Sequence, residues 1–167
     1  GALALRSAGI PVVLDETPVG ARFEAASRWF VVLSDRGTEE WSEWDLSTNI
    51  GWGFFPYERG PKVFRNSYAI NRERYLYKKR AKYVYPFELS KQDITDRYFR
   101  TSDIEIPIEI GLRLADRYVY IASAVRDEKI WQIVDFGTLK HGKAHFKKMG
   151  REVLYKAFGF DGDELIP

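Results

Sequence analysis

The sequence predicts an α+β fold: an antiparallel β-sheet built on a meander over residues 103–136, with an amphipathic helix over about 142–158 packed on one face. Three observations lead there. First, Ile104, Ile106, Ile108, Ile110, Leu112 and Leu114 alternate with Asp103, Glu105, Pro107, Glu109, Gly111 and Arg113. That is period two, the pattern of a sheet with one face on a core and the other in water. Second, two apolar runs, 118–125 and 130–136, follow after the polar breaks Ala115-Asp116-Arg117 and Arg126-Asp127-Glu128-Lys129. Short polar breaks between β-branched and aromatic runs are what hairpin connections require. Third, Phe146, Met149, Val153, Leu154, Ala157 and Phe158 fall at offsets of 0, 3, 7, 8, 11 and 12, one helical stripe, with Gly159 as the expected stop.

A chain of 167 residues, 45% hydrophobic and 30% charged, suits a single globular domain over 1–167, of a size to bury a substantial core. Its ends, Gly1-Ala2 and Pro167, are compatible with a domain cut from a longer chain. With no cysteine there is no disulfide, thiolate metal site or cysteine nucleophile, and the cellular compartment is left open. The longest uncharged apolar run, 118–125, has eight residues against roughly 20 for a membrane-spanning helix, and residues 2–5 are too short for a signal-peptide core. The expectation is a soluble protein without a membrane partner.

Taking the chain in order, residues 10–14 read as a short strand, which Pro11 would place at a sheet edge. Thr17-Pro18, with Glu24 beyond, reads as a helix start running to Ala26, weakened by Gly20. Residues 29–33 form a continuous apolar run before the turn residues Ser34-Asp35-Arg36-Gly37, hence a buried strand. Residues 39–57 hold Trp41, Trp44, Trp52, Phe54, Phe55 and Tyr57 among Asn49, Gly51, Gly53 and Pro56. That composition predicts a structured loop, a satellite core or a sugar-stacking platform.

Residues 63–70 and 75–87 are expected to pair as a second hairpin about Asn71-Arg72-Glu73-Arg74, because Tyr75, Tyr77, Ala81, Tyr83 and Tyr85 share one parity. An amphipathic helix over 71–83 competes, since Arg, Lys, Leu and Ala are good helix formers. Ser90, with Asp93 three residues on, predicts a short capped helix over 90–98. The whole gives a sheet of about five to seven strands.

Charge carries the clearest functional signal. Between positions 62 and 82 there are eight basic residues, Lys62, Arg65, Arg72, Arg74, Lys78, Lys79, Arg80 and Lys82, against Glu73 alone. The segment therefore holds +7 of a chain whose net charge is +2, and the remainder is −5. Phe64, Tyr68, Tyr75, Tyr77 and Tyr83 are interleaved with the bases. Cations beside flat aromatic surface are the chemistry that neutralises a phosphate backbone and stacks unpaired bases. The leading expectation is thus a non-catalytic module for a polyanion, nucleic acid, using Arg72, Arg74, Tyr75, Tyr77, Lys78, Lys79, Arg80, Lys82 and Tyr83. The alternative is a structural or assembly protein that docks another chain with the same segment, for instance on Glu39, Glu40, Glu43 and Asp45 of a second copy. The plainer reading is a solvated face with its tyrosines in the core.

An enzyme comes third, and no cofactor or metal is expected. His141 and His145 have the i,i+4 spacing of a zinc pair, but no glutamate follows His141 and no third ligand is evident, so metal binding is not expected. Asp116 and Asp127-Glu128-Lys129 match the letters of a two-strand nuclease motif. Residues 117–126 read as one strand, however, which holds the two ends roughly 35 Å apart, too far to share an ion. No Gly-x-Ser-x-Gly elbow, P-loop or Gly-x-Gly-x-x-Gly fingerprint is present, and 161–164 is too short for a calcium loop.

Overall fold

A computed structural model describes residues 2–19, 26–33, 39–40, 59–67, 69–108, 114–125 and 130–167. Among them the strands form two antiparallel sheets rather than the single sheet expected. The first contains β1 (Val12–Thr17), β2 (Ser27–Leu33), β3 (Glu39–Glu40), β4 (Phe64–Asn66) and β5 (Lys91–Asp93), in the order β3-β2-β1-β4-β5. The second contains β6 (Thr101–Pro107), β7 (Tyr118–Val125), β8 (Ile130–Lys140), β9 (Lys143–Gly150), β10 (Tyr155–Phe160) and β11 (Leu165–Ile166), in the order β11-β10-β7-β8-β9-β6. Among the described residues helices are few: α1 (Ala2–Ser7), α2 (Arg72–Arg80) and a 3₁₀ turn at Thr95–Arg97. None of the described helices is long and apolar enough to cross a membrane.

The apolar run at 29–33 is the buried strand expected: Trp29, Phe30 and Val31 are all buried in β2. Its neighbour β1 is not an edge. It is the central strand, because Pro11 stands just before it and withholds no N–H from the ladder. Ion pairs hold β1 as much as apolar packing does. Asp15 is fully buried and accepts two hydrogen bonds from Arg65 at 2.8 Å and one from the Tyr98 hydroxyl. Glu16 meets Lys91 and, at 3.1 Å, Arg28. Such carboxylates tolerate burial only because their lone pairs are filled. Thr17, expected to start a helix, ends β1 and donates to the Val19 carbonyl at 2.7 Å. Residues 20–25 of that expected helix, and the aromatic residues of 41–57, lie outside the described residues.

In the second sheet the isoleucine alternation holds through β6: Ile104, Ile106 and Ile108 pack on the core and Asp103, Glu105 and Pro107 are exposed. Ile110 and Leu112 lie outside the described residues. The meander itself is displaced. β6 pairs with β9, so the consecutive antiparallel triplet is β7-β8-β9, not the one expected over 103–136. β10 then returns to the far side of β7, which makes a Greek key. All eight residues of β7 are buried, because the sheet is covered on both faces. Val119, Ile121 and Val125 join Val134, Ala144, Phe146 and Met149 on one side. Tyr118 and Tyr120 join Tyr77, Phe136 and Phe158 on the other.

The helix expected over 142–158 does not form; β9 and β10 occupy its place. A bulge explains the misleading period. Ser102 pairs with Met149 and Ile104 with Phe146, so two steps along β6 meet three along β9, with Lys148 at φ 48°. The extra residue turns a spacing of two into a spacing of three. Glu152, at φ 59°, then turns the chain, leaving Leu154 exposed, while Ala157 and Phe158 reach opposite faces of the sheet. Gly159 is no helix stop but lies inside β10 against Leu114. Gly150, at the end of β9, makes a close backbone approach: a Cβ there would fall 1.8 Å from the Gly60 carbonyl oxygen.

Two further expectations need correction. Arg72–Arg80 is helical, as the competing reading over 71–83 has it though shorter, and not the second strand of a hairpin, and β4 covers only part of the strand expected over 63–70. The helix over 90–98 is replaced by β5 and the 3₁₀ turn. Asp93 accepts from the Thr95 backbone N–H at 3.0 Å and its hydroxyl at 2.6 Å, which starts the turn later than Ser90 would.

Candidate functional site

The basic segment centres on α2. Asn71 caps it, its side-chain oxygen accepting from Glu73 N at 3.0 Å and Arg74 N at 3.2 Å, which satisfies two otherwise orphaned donors. Good helix formers fill the next nine residues, and the chain turns extended at Ala81. Successive helical residues rotate by about 100°. The sequence therefore divides into an inner face carrying Arg74 and Tyr77, both buried, and an outer face carrying Arg72, Tyr75 and Lys79. Lys78, Arg80 and, beyond the helix, Lys82 are also exposed. Among the described residues, Arg72, Lys78, Lys79, Arg80 and Lys82 have no carboxylate within ion-pair distance. Glu73, the acid of the segment, faces Lys147 at 3.5 Å. Tyr75 is 46% exposed amid these cations.

The other aromatic candidates lie inward. Tyr77 is 1% exposed and stacks on Phe136 at 4.2 Å with its plane tilted by 22°. Its hydroxyl accepts the Tyr85 N–H at 2.7 Å and lies 3.2 Å from the Tyr120 hydroxyl, which donates to the Tyr83 carbonyl at 2.6 Å. Burial raises the hydroxyl pKa of both Tyr77 and Tyr120. Tyr83 packs against Tyr120, with ring centroids 5.3 Å apart. Asp116 holds the segment down. Its carboxylate accepts the Lys82 N–H at 2.7 Å and lies within 3.4 Å of the Tyr83 and Tyr118 nitrogens. This aspartate is engaged by backbone, and residues 127–129 of the nuclease-like motif lie outside the described residues.

His141 and His145 sit on a hairpin, not a helix. His141 (φ 49°) and Gly142 (φ 75°) are the central pair of the β8–β9 turn, with both φ angles positive as a type I′ turn requires. His145 Nδ1 lies 3.2 Å from Glu105, whose carboxyl is held below its ordinary range by the hydrogen bond and charge of Lys143. Among the described residues no group of three His, Asp or Glu side chains is placed to hold a metal ion.

Beside α2 lies a groove of about 580 Å³ between the helix and strands β6, β8 and β9. Two buried cations lie near it: Arg74 lines the groove, and Lys62 lies behind the lining residues Asp93 and Asp135. Lys62, with no exposed side-chain surface, contacts Asp93 and lies 2.9 Å from Asp135, and it donates to the Lys147 carbonyl at 2.6 Å. Desolvation by burial lowers its pKa, but the two carboxylates prevail and the net shift is upward. Lys62 thereby joins β5 of one sheet to β8 and β9 of the other. Arg74 has its guanidinium carbon 4.5 Å from the Phe64 ring centroid and 5.2 Å from that of Phe87. Burial lowers its pKa against the opposing fields of Asp135 and Asp93.

No known protein family matches the sequence, and no curated protein or solved structure matches the chain. The structure thus leaves Arg72, Tyr75, Lys78, Lys79, Arg80 and Lys82 exposed, while Arg74 is buried and Tyr77 and Tyr83 pack inward. Sequence reasoning missed the Lys62 cluster. The one local signal was a lysine set between Pro61 and Val63-Phe64, inside an apolar stretch.

Proposed function

We propose that this chain binds a polyanion, single-stranded nucleic acid, through the outer face of α2 and the adjoining Lys82. One observation carries the reading: five exposed cations without ion-pair partners among the described residues lie on and just beyond the helix that carries the half-exposed ring of Tyr75. Cations at this density repel one another and gain from a polyanion that displaces their counterions. Tyr75, flanked by Arg72 and Lys79 at i−3 and i+4, offers a ring on which an unpaired base stacks.

The test is a salt titration of oligonucleotide affinity. Three or four phosphates neutralised on a single strand give a log–log slope of about −2 to −3. Lys79→Ala should reduce that slope by somewhat under one unit. Tyr75→Ala should weaken binding by about 1–3 kcal/mol and leave the slope alone. Absence of oligonucleotide binding at physiological salt overturns the reading. Self-association abolished by Lys78→Glu would then identify the face as a protein-docking surface.

A further inference from the structure

The geometry points to a second, separate site: the groove beside α2 binds a small monocarboxylate with a compact apolar body, held by the guanidinium of Arg74. Arg74 is 5% exposed. A guanidinium carries five N–H donors, and burying them without acceptors is costly. Among the described residues no oxygen accepts from this side chain. The rings of Phe64 and Phe87 complement its charge through their faces but offer no lone pair. The nearby carboxylates of Asp93 and Asp135 direct their oxygens to Lys62. A buried donor set left over in this way is matched by an acceptor from outside the chain.

The groove defines that acceptor. Its volume lies within the range of small-molecule sites. Leu76, Tyr118, Phe136 and Phe146 supply apolar wall, which suits a ligand body without charge. The fields of Asp135, Asp93, Glu88 and Glu16 already reach Arg74, with Lys62 set against the first two, so one added negative charge is favoured over two. Arg80, Arg117 and Lys140 of the lining lack carboxylate partners among the described residues, while its acids Glu73, Asp103 and Glu105 are engaged by Lys147, the Lys148 N–H and Lys143, which favours an incoming anion. A planar fork of N–H donors fits a carboxylate in bidentate fashion. The site shares Arg80 with the polyanion face but is otherwise distinct from it, since Arg74 is buried where Tyr75 and Lys79 are exposed.

The experiment follows benzoate, benzamide and phenyl phosphate in turn by NMR of the ¹⁵N-labelled chain. Benzoate, a compact aromatic carboxylate, should give saturable shifts at the Arg74 Nε–H and the Phe136 and Gly137 amides, with a Kd of about 1 mM. Neutral benzamide should bind at least about tenfold more weakly, and so should Arg74→Lys towards benzoate, because each loses a charge-assisted bidentate contact. Phenyl phosphate should bind more weakly than benzoate. Tyr75→Ala should leave benzoate binding unchanged, which separates this site from the polyanion face. Shifts that fail to saturate, benzamide equal to benzoate, or a preference for phenyl phosphate each overturn the inference. The comparison of benzoate with benzamide on the unaltered chain decides even where an Arg74 variant does not fold.

Discussion

Replacing Lys62 by methionine tests what joins the two sheets. The ammonium is fully enclosed and all three of its protons are used, on Asp93, Asp135 and the Lys147 carbonyl. Methionine fills most of the volume, so the loss is electrostatic. It leaves two carboxylates facing one another without their counterion. Breaking a buried pair by removing one partner costs about 3–5 kcal/mol. The Asp93 and Asp135 side chains retain 26% and 15% exposure, so water relieves part of the penalty. The expected loss is therefore about 3–4 kcal/mol, a large share of the roughly 5–15 kcal/mol that stabilises a domain. For a chain of this length that lowers the thermal midpoint by about 6–16 °C. Adding Asp135→Asn should recover about 1–2 kcal/mol, since the remaining repulsion is removed. The sign with pH follows from the raised lysine pKa. The Lys62 contribution is complete below the unfolded-state value of about 10.4 and is lost as pH rises through the higher folded-state value. Urea unfolding of the wild type and both variants measures all of this. A loss under about 1 kcal/mol, as for a surface pair, or one indifferent to Asp135→Asn, would refute the reasoning.

Other outcomes follow from the same geometry. The buried hydroxyls of Tyr98, Tyr120 and Tyr155 have pKa values raised chiefly by burial. Their contribution is complete below the unfolded-state value of about 10 and lost above it, so tyrosinate absorbance should rise together with unfolding, not before it. His141 holds a positive φ of 49° in the hairpin turn. His141→Val should cost about 1–2 kcal/mol in chemical denaturation, whereas His141→Asn should be neutral or better, because asparagine tolerates that conformation.

The sequence made some of this architecture legible and concealed the rest for physical reasons. Ile104, Ile106 and Ile108 announced their strand because nothing interrupts their pairing over that stretch. At Lys147-Lys148 one inserted residue breaks the period of two, and Phe146 to Met149 then imitates a helical turn. Around Tyr77 the parity of the tyrosines suggested a strand. Tyr77 in fact belongs to a helix, Tyr83 and Tyr85 to the extended segment after it, and all three reach one core from different backbones. The exposed cations were readable from composition alone. The burial of Lys62 and Arg74 was not, because it depends on Asp93 and Asp135, which only the folded topology brings near.

The Greek key also bears on how the protein is made. β7 reads Tyr-Val-Tyr-Ile-Ala-Ser-Ala-Val, without charge, proline or glycine, a composition prone to cross-β stacking. One edge of it is covered early, by β8, but the other waits for β10, which begins 30 residues after Val125. At ribosomal rates of about 5–20 residues per second, that interval lasts about 2–6 s. Throughout it a nascent chain presents an open row of N–H and C=O groups on an apolar strand, and a neighbouring chain on the same messenger presents another. Yield in the cell should therefore depend on how quickly residues 155–160 arrive, and slowing translation between Val125 and Tyr155 should drive the product into inclusion bodies.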